Sequence, residues 1–119
     1  MKKIMLVDDM EITNFITGSL IQMIDPAYAV HDYTEPMEAL SEVATVQPDI
    51  IFLDLNMPEM DGWGFLDEMQ QQGLGQKVYI LTSSTSELDR QRAKQYANVA
   101  GYLVKPMEKD ELAGILLMA

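Results

Sequence analysis

The sequence predicts an α/β domain in which a doubly wound, five-stranded parallel sheet carries helices on both faces. Three short runs rich in Ile, Val and Leu, at residues 4–7, 50–53 and 78–81, have the composition of strands buried on both faces. Residues 28–33 and 101–104 are more mixed or shorter, which suits strands at the edges of a sheet. Strands and helix-like stretches alternate five times, a pattern typical of parallel strands joined by right-handed crossovers. With the apolar runs at the centre, the strand order is 2-1-3-4-5.

The first half of the chain predicts two helices. After the first strand, apolar side chains recur at intervals of three and four residues, and this stripe predicts a helix over about residues 11–24. The stripe consists of Ile12, Phe15, Ile16, Leu20, Met23 and Ile24. After the second strand, Glu35 and Pro36 open another helix, because proline is well tolerated in a first turn. This helix ends before Pro48.

The second half of the chain predicts three more helices. Gly62 and Gly73 bracket the third helix, whose apolar side chains point inward: Phe65, Leu66 and Met69. Ser86, with Asp89 three residues later, resembles a capping box and starts a fourth helix that runs toward Tyr96. The fifth helix is marked by Leu112, Ile115 and Leu116.

Composition limits the functions that this chain can have. With 119 residues, of which 48% are hydrophobic, it has material for one core, and we expect one domain over residues 1–119. The net charge of -11, from 8 basic and 19 acidic residues, disfavours direct binding to nucleic acid or to an anionic membrane. The absence of cysteine excludes disulfides and thiol chemistry. The apolar run at residues 4–7 is too short for a signal peptide, and no later stretch reaches about 20 apolar residues, so we expect a soluble, cytoplasmic protein.

Chemically active side chains stand directly after the strands of the predicted sheet. Asp8 and Asp9 follow the first strand, Asp54 the third, Thr82 the fourth and Lys105 the fifth. In such a sheet the ligand site lies outside the carboxyl ends of the strands, near the switch point between strands one and three. Three carboxylates repel one another there unless they share a hard cation, and Mg²⁺ prefers oxygen ligands. The lysine and the hydroxyl complete a pocket that suits a phosphoryl group.

Each of these residues also has an ordinary structural explanation. Asp9 could cap the next helix, Asp54 could be a loop acid, and Lys105 could be a solvated surface lysine. Thr82 could be a turn residue. However, four separate strand ends carry metal or phosphate chemistry together, and this joint placement favours the functional interpretation.

The motifs around these residues resemble those of the receiver domains of two-component response regulators. The matching segments are LVDDM with Asp8 and Asp9, IIFLDLNMPEMDGWGF with Asp54, VYILTSS with Thr82, and GYLVKPM with Lys105. The resemblance extends from residue 3 to about residue 118, and the four motifs together are highly specific. It implies a flavodoxin-like (βα)5 fold for one receiver domain over residues 1–119.

The resemblance implies a phosphoryl site that contains a magnesium ion. Asp54 looks like the phosphoacceptor, which takes a phosphoryl group from the phosphohistidine of a histidine kinase or a histidine phosphotransfer protein. Asp9, Asp54 and the main-chain carbonyl of Asn56 resemble the direct Mg²⁺ ligands, and Asp8 would act largely through bound water. Lys105 resembles the lysine that pairs with the aspartate and then with the phosphoryl oxygens.

The resemblance also implies a conformational switch on the face formed by helix 4, strand 5 and helix 5. Thr82 looks like the hydroxyl that reorients toward the phosphoryl group, and Tyr102 like the aromatic residue whose inward turn follows. Between Thr82 and Lys105 the chain is one residue longer than the commonest spacing, so Ser83 remains an alternative switch hydroxyl. The Lys105–Pro106 bond resembles the family's cis peptide. The resemblance also implies that the protein is a monomer, or a dimer that forms through this face when it is phosphorylated.

The resemblance implies a signalling domain and not an enzyme, with chemistry limited to self-phosphorylation and slow self-dephosphorylation. One alternative is an aspartate-nucleophile phosphatase of the haloacid dehalogenase type, which usually has a second acid two residues after its nucleophile, where this chain has Asn56. Another is a flavin or nucleotide binder, which needs a loop rich in glycine, serine or threonine after the first strand, where the two acids would instead repel the ligand's phosphate. A third is a degenerate receiver that acts as an interaction module, although all five site residues are present. The sequence does not specify the downstream target.

Overall fold

The computed structural model describes residues 2–118 and contains a five-stranded parallel sheet. Its strands are β1 (Lys3–Val7), β2 (Ala29–Tyr33), β3 (Ile50–Leu53), β4 (Lys77–Thr82) and β5 (Val99–Val104). The helices are α1 (Glu11–Ile24), α2 (Pro36–Val46), α3 (Gly62–Gln71), α4 (Glu87–Ala93) and α5 (Lys109–Met118). The spatial order is β2-β1-β3-β4-β5, so the predicted fold class and strand order are confirmed. The two ends of the predicted domain, Met1 and Ala119, lie outside the described residues.

Helices cover both faces of the sheet, and this explains why the central strands are apolar at successive positions. On one face, α2, α3 and α4 pack against the sheet, and Val43 and Phe65 belong to the buried cluster there. On the other face, α1 and α5 pack against the sheet with Ile21 and Leu112. All four residues of β3 are buried between these two layers. Within residues 2–118, none of the helices is both long and apolar enough to cross a membrane.

The strand β5 begins two residues earlier than the sequence predicted, at Val99 instead of Gly101. Near its start the pairing with β4 is irregular: Val78 pairs with Val99 and Tyr79 pairs with Gly101, so Ala100 is an extra residue. A Cβ on Gly101 would come within 2.9 Å of the Tyr79 ring, so the glycine makes room for that ring. The extra residue interrupts the alternation of the strand, which is why its first residues were missed.

The helix α1 has the predicted bounds, but four of the six residues of the predicted apolar stripe are exposed, and only Leu20 and Ile24 pack partly buried against the core. The exposed fractions are 58% for Ile12, 69% for Phe15, 53% for Ile16 and 65% for Met23. Instead, α1 buries Asn14, Thr17 and Ile21. The spacing of apolar residues predicted the helix correctly, but the side that meets the sheet depends on how the strands position the helix.

The helix α4 is shorter than predicted, because it ends at Ala93 and not near Tyr96. The predicted N-cap is confirmed, since the Ser86 hydroxyl accepts a hydrogen bond from the backbone N–H of Asp89 at 3.4 Å. The Asp89 carboxylate does not complete a capping box, because it accepts a hydrogen bond of 2.7 Å from the Ser84 hydroxyl. The same hydroxyl accepts from the backbone N–H of Ser86 at 3.2 Å. The start of α4 is therefore tied to the loop after β4.

The helix α3 begins directly against the end of β3. The backbone N–H of Gly62 donates to the carbonyl of Leu55 at 2.9 Å, and the Asp61 carboxylate caps the helix by accepting from the N–H of Gly64 at 2.8 Å. A Cβ on Gly62 would come within 2.7 Å of the Asp54 carbonyl oxygen and 2.8 Å of the Leu55 Cα. The side chains that were predicted to point inward are buried: Phe65, Leu66 and Met69. Gly62 thus lets the helix approach the residue that follows β3.

We expect Gly62→Ala to lower the free energy of unfolding by about 1–3 kcal/mol, because the added methyl group would overlap main-chain atoms that cannot move independently. Gly114→Ala is the matched control, since nothing lies within 4 Å of a Cβ at this exposed position of α5. That variant should be as stable as wild type, or more stable by up to about 1 kcal/mol, because alanine favours helix. Urea denaturation measures both. Equal stability of the two variants would contradict the close packing at Gly62.

Candidate functional site

Three carboxylates meet at the carboxyl edge of the sheet. Asp8 follows β1 and Asp54 follows β3, and both are buried, whereas Asp9 is exposed. The main chain continues the strand pairing at these positions, since the N–H of Asp54 donates to the carbonyl of Val7 at 2.9 Å and that of Asp8 donates to the carbonyl of Tyr33 at 3.1 Å. One carboxylate oxygen from each acid lies within 4.8 Å of the others. The fold therefore brings together the three acids that the sequence singled out.

Lys105 reaches the buried acids from the end of β5. Its Nζ lies 2.6 Å from Asp8 Oδ2 and 3.6 Å from Asp54 Oδ2. Its backbone N–H donates to the carbonyl of Thr82 at 2.8 Å, which continues the pairing of β5 with β4. The following peptide bond, to Pro106, is cis, as the resemblance implies. One cation thus contacts two carboxylates, and the four charged groups together remain negative.

The surroundings of Asp54 disfavour its ionised form. Burial raises the pKa of this carboxyl above its ordinary value, and the negative charge of Asp8 raises the pKa further. The ammonium of Lys105 and a hydrogen bond from the backbone N–H of Asn56 act in the opposite direction, but they do not cancel the increase. A buried carboxylate with a raised pKa is typical of a functional position and would gain from a nearby cation.

Thr82 and Tyr102 are joined through the main chain of Ser84. Thr82 is the last residue of β4 and is fully buried, and its hydroxyl accepts a hydrogen bond from the N–H of Ser84 at 3.3 Å. The Tyr102 hydroxyl donates to the carbonyl of Ser84 at 3.0 Å. The guanidinium of Arg90 lies 4.8 Å from the centre of the Tyr102 ring. Ser84 was not singled out from the sequence, where only Ser83 was considered as an alternative to Thr82.

The remaining predicted positions lie on exposed loop segments. Ser83 is exposed and stands next to the buried Thr82. Asn56 is exposed in the loop between β3 and α3, with its N–H directed to Asp54 as described above. That its main-chain carbonyl binds a metal stays a prediction.

Asn14 is a residue of this region that the sequence did not single out. It is buried on α1, and its side-chain amide donates to the carbonyls of Asp8 at 3.1 Å and Tyr33 at 3.0 Å. In the sequence it lies between the apolar residues of the predicted stripe, where it looks like part of a solvated face. Thr17 lies three residues after Asn14 and Ile21 lies seven residues after it, so the three side chains share one side of a helix. This helical spacing is the signal that could have identified the buried face.

The donor set at this edge of the sheet fits a hard divalent cation. Asp8, Asp9 and Asp54 all offer carboxylate oxygens, the ligands that Mg²⁺ and Ca²⁺ prefer. Two of these acids are withdrawn from water, so a divalent cation would relieve a repulsion that Lys105 alone offsets in part. The exposed Asp9 leaves one side open to solvent, which suits an ion that retains bound waters.

Comparisons with known proteins agree with the fold and the motifs. The model of the response regulator receiver domain family matches residues 4–117. The chain is 30% identical over 116 residues to the nitrate/nitrite response regulator protein NarL of Escherichia coli, covering 98% of this chain and 53% of NarL. It is 32% identical over 111 residues to the cyclic di-GMP phosphodiesterase response regulator RpfG of Xanthomonas campestris, covering 92% of this chain and 29% of RpfG. It spans about half the length of NarL and less of RpfG.

A solved structure covers nearly the whole of both chains. The chemotaxis protein CheY4 of Vibrio cholerae superposes with a TM-score of 0.86 at 29% sequence identity, covering 99% of this chain and 98% of that one. A two-component response regulator from Cytophaga hutchinsonii superposes with a TM-score of 0.88 at 26% identity, covering 98% of this chain and 95% of that one. The similarity therefore extends over the whole sheet and its helices.

We expect Asp54→Asn to raise the free energy of unfolding at neutral pH when divalent cations are absent, because it removes a charge that burial and Asp8 disfavour. The folded protein holds a proton on Asp54 more tightly than the unfolded chain does. The stability of wild type should therefore fall as the pH rises from the ordinary carboxyl value of 3.8 through the raised pKa, and the variant should lack this contribution.

Urea denaturation at a series of pH values, with a chelator present, measures this difference. Asp32→Asn, at an exposed position of β2, is the matched control and should keep the contribution of Asp54 to the pH dependence. Identical pH profiles for wild type and Asp54→Asn would show that the acid is not destabilised in the folded protein.

Proposed function

Because this chain belongs to the response regulator receiver domain family, we propose that Asp54 accepts a phosphoryl group from a phosphohistidine, with Mg²⁺ bound beside it. Receiver domains of response regulators interact with histidine kinases, so the donor is a histidine kinase or a histidine phosphotransfer protein. The observation that carries the proposal is the meeting of Asp8, Asp9, Asp54 and Lys105 at one edge of the sheet.

The transfer places a phosphoryl group on a buried carboxylate. A carboxylate oxygen of Asp54 bonds to phosphorus while the bond from phosphorus to the donor's imidazole nitrogen breaks. Such transfers depend on positioning and on neutralising charge, which the protein must provide. Lys105 contacts both Asp8 and Asp54, so its ammonium is placed to pair with a phosphoryl oxygen. Bound Mg²⁺ would supply the remaining positive charge.

The metal ligands in this proposal are Asp9, Asp54 and the main-chain carbonyl of Asn56, with Asp8 acting largely through bound water. The exposure of Asp9 supports a direct role, since an ion that keeps waters needs an open side. The ion pair between Asp8 and Lys105, at 2.6 Å, supports an indirect role for Asp8, because that carboxylate oxygen already has a cationic partner.

Thr82 and Tyr102 would report the phosphorylation to α4 and β5. A hydrogen bond from the Thr82 hydroxyl to the phosphoryl group would draw in Ser84, whose N–H is bonded to that hydroxyl. Ser84 also contacts Tyr102 and Asp89, so its movement would reach β5 and α4 together. A nearly complete switch requires a bias of about 5 kcal/mol between the two states. The burial of Thr82, beside an exposed Ser83, supports Thr82 as the switch hydroxyl.

The exposed apolar side of α1 suits contact with the phosphodonor. Five of the large hydrophobic residues exposed in the described part of the chain lie on α1 or just before it: Met10, Ile12, Phe15, Ile16 and Met23. The helix begins two residues after Asp9, so a protein that packs on this side also reaches the acids. Clustered exposed apolar side chains are typical of a protein contact surface, and α1 carries a single charged residue, Glu11.

A turnover enzyme is a weaker interpretation of the same site. Asn56 occupies the position two residues after Asp54, where a phosphatase of the haloacid dehalogenase type needs an acid for proton transfer. A flavin or nucleotide phosphate beside Asp8 and Asp9 would be repelled. We therefore propose a signalling domain whose own chemistry is gain and slow loss of one phosphoryl group.

The wider setting belongs to the same proposal. A net charge of -11 opposes direct contact of this domain with nucleic acid. We expect a cytoplasmic domain that is a monomer, or a dimer formed through α4, β5 and α5 after phosphorylation. The output of the whole protein is not specified by this domain.

Incubation with acetyl phosphate and Mg²⁺ tests the acceptor. Wild type should gain one phosphoryl group by intact-protein mass spectrometry, and the gain should be lost with a chelator or in Asp54→Asn. Absence of any gain in wild type would leave a degenerate receiver as the better description. Steady release of phosphate from a phosphate ester would instead support the phosphatase.

The same phosphorylated samples test the switch. Hydrogen exchange at the amides of residues 83–86 should slow after phosphorylation of wild type and of Thr82→Ser, because the loop is drawn inward. Thr82→Ala should gain the phosphoryl group but leave these amides unchanged. An equal change in Thr82→Ala would exclude the Thr82 hydroxyl from the switch.

A charge on the exposed side of α1 tests the donor contact. We expect Phe15→Glu to slow transfer from a phosphorylated histidine phosphotransfer domain by about tenfold or more, because exposed aromatic residues dominate such contacts. Its reaction with acetyl phosphate should match wild type. Leu88→Glu, at another highly exposed apolar position, is the matched control and should transfer normally. Equal slowing by both variants would argue against a contact specific to α1.

A further inference from the structure

Asn14 places a polar amide in the interface between α1 and the sheet. The residue is 3% exposed, and an amide withdrawn from water is costly unless hydrogen bonds replace its contacts with water. Both donors of the amide are used, one on the carbonyl of Asp8 at 3.1 Å and one on the carbonyl of Tyr33 at 3.0 Å. A buried side chain with two main-chain partners holds a fixed position.

One carbonyl belongs to Asp8, which directly follows β1, and the other to Tyr33, the last residue of β2. The Tyr33 carbonyl also accepts a hydrogen bond from the N–H of Asp8 at 3.1 Å, where the ladder between the two strands ends. Asn14 adds a bridge just past this point and joins both strand ends to α1. The β1–α1 connection, which carries the two acids, is therefore held at its first residue.

The Asp8 carbonyl is part of the peptide group that links Asp8 to Asp9. A hydrogen bond to that carbonyl fixes the plane of the peptide, and the plane sets the directions in which the two acidic side chains leave the main chain. Repulsion among the charges of Asp8, Asp9 and Asp54 favours a rotation of this peptide that turns the exposed Asp9 carboxylate away from the two buried acids. The amide of Asn14 opposes this rotation.

We propose that Asn14 is a positioning residue for the metal site, which holds the Asp8–Asp9 peptide so that both carboxylates face Asp54 before any ion binds. The inference rests on the proposed function, because it concerns the Mg²⁺ of that site. Asn14 acts through the main chain of Asp8 and does not itself touch the ion. Partners that orient ligands in this way typically change metal affinity by about 10- to 100-fold when they are removed.

A second asparagine in the chain offers a matched control. The Asn98 amide donates to the carbonyl of Gln76 at 3.1 Å and joins the segments that lead into β5 and β4. This bridge lies at the amino edge of the sheet, opposite the acids. Asn98→Ala therefore removes the same kind of bond without touching the β1–α1 connection.

The test measures Mg²⁺ affinity separately from stability. Thermal unfolding of each variant over a series of Mg²⁺ concentrations, at constant ionic strength, gives the dissociation constant from the shift of the midpoint. We expect Asn14→Ala to bind Mg²⁺ about tenfold more weakly than wild type. Asn98→Ala should bind as wild type does, even if its midpoint without metal is equally reduced. Asn14→Ser, which makes a smaller change, keeps the test valid if Asn14→Ala does not fold.

The outcomes distinguish this inference from the proposed function. One outcome would be that wild type binds Mg²⁺, that Asp9→Asn binds it more weakly, and that both Asn14 variants bind it as wild type does. The positioning role would then be wrong, but the metal site would be supported. If Mg²⁺ does not shift the wild-type midpoint, the metal site and the positioning role are wrong together. Equal loss of affinity in Asn14→Ala and Asn98→Ala would show a general effect of stability and would also overturn the inference.

Discussion

The repulsion among Asp8, Asp9 and Asp54 is the constraint around which the carboxyl edge of the sheet is organised. Parallel strands place their ends side by side, so acids that follow neighbouring strands cannot avoid one another. Two of the three are buried, which strengthens the repulsion because little water screens it. Lys105 offsets part of this cost from the end of β5, while burial first, and then the charge of Asp8, keep the pKa of Asp54 above its ordinary value. A cation that binds at this site should therefore stabilise the folded protein.

The same edge is connected by hydrogen bonds to the start of α4. The charged and hydroxyl groups lie at or just after the ends of four strands, and α4, with 7 residues, is the shortest helix in the described part of the chain. At its start, the Ser86 hydroxyl accepts from the N–H of Asp89 and the Ser84 hydroxyl donates to the Asp89 carboxylate, and both serines lie in exposed or half-buried loop positions. Segments held by exposed hydrogen bonds generally open at a lower cost in free energy than buried strands do. The hydrogen bonds from Ser84 to Thr82 and to Asp89 thus join the carboxyl edge of the sheet to the first turn of α4.

The helix α1 shows how a site alters the ordinary rules of packing. A helix on a sheet normally buries its apolar stripe, but α1 buries Asn14 and Thr17 and exposes Phe15 and Ile16. Asn14 bonds to the carbonyls of Asp8 and Tyr33 at the strand ends, and the apolar residues Phe15 and Ile16 are exposed. Ile21 and the contact with α5 supply apolar packing on the inner side of the helix. This local conflict between pattern and burial is typical of functional positions.

The sequence by itself determined the fold class, the strand order and the positions of Asp8, Asp9, Asp54 and Lys105, because each depends on the order of short patterns along the chain. Apolar runs identify central strands, and residues that directly follow parallel strands must lie at one edge. The tertiary structure decided which face of α1 is buried, where α4 ends and which residues join Thr82 to Tyr102. These features depend on contacts between segments far apart in sequence. Periodicity specifies the spacing of a face but not its direction, which is set by the strands and helices that pack against it.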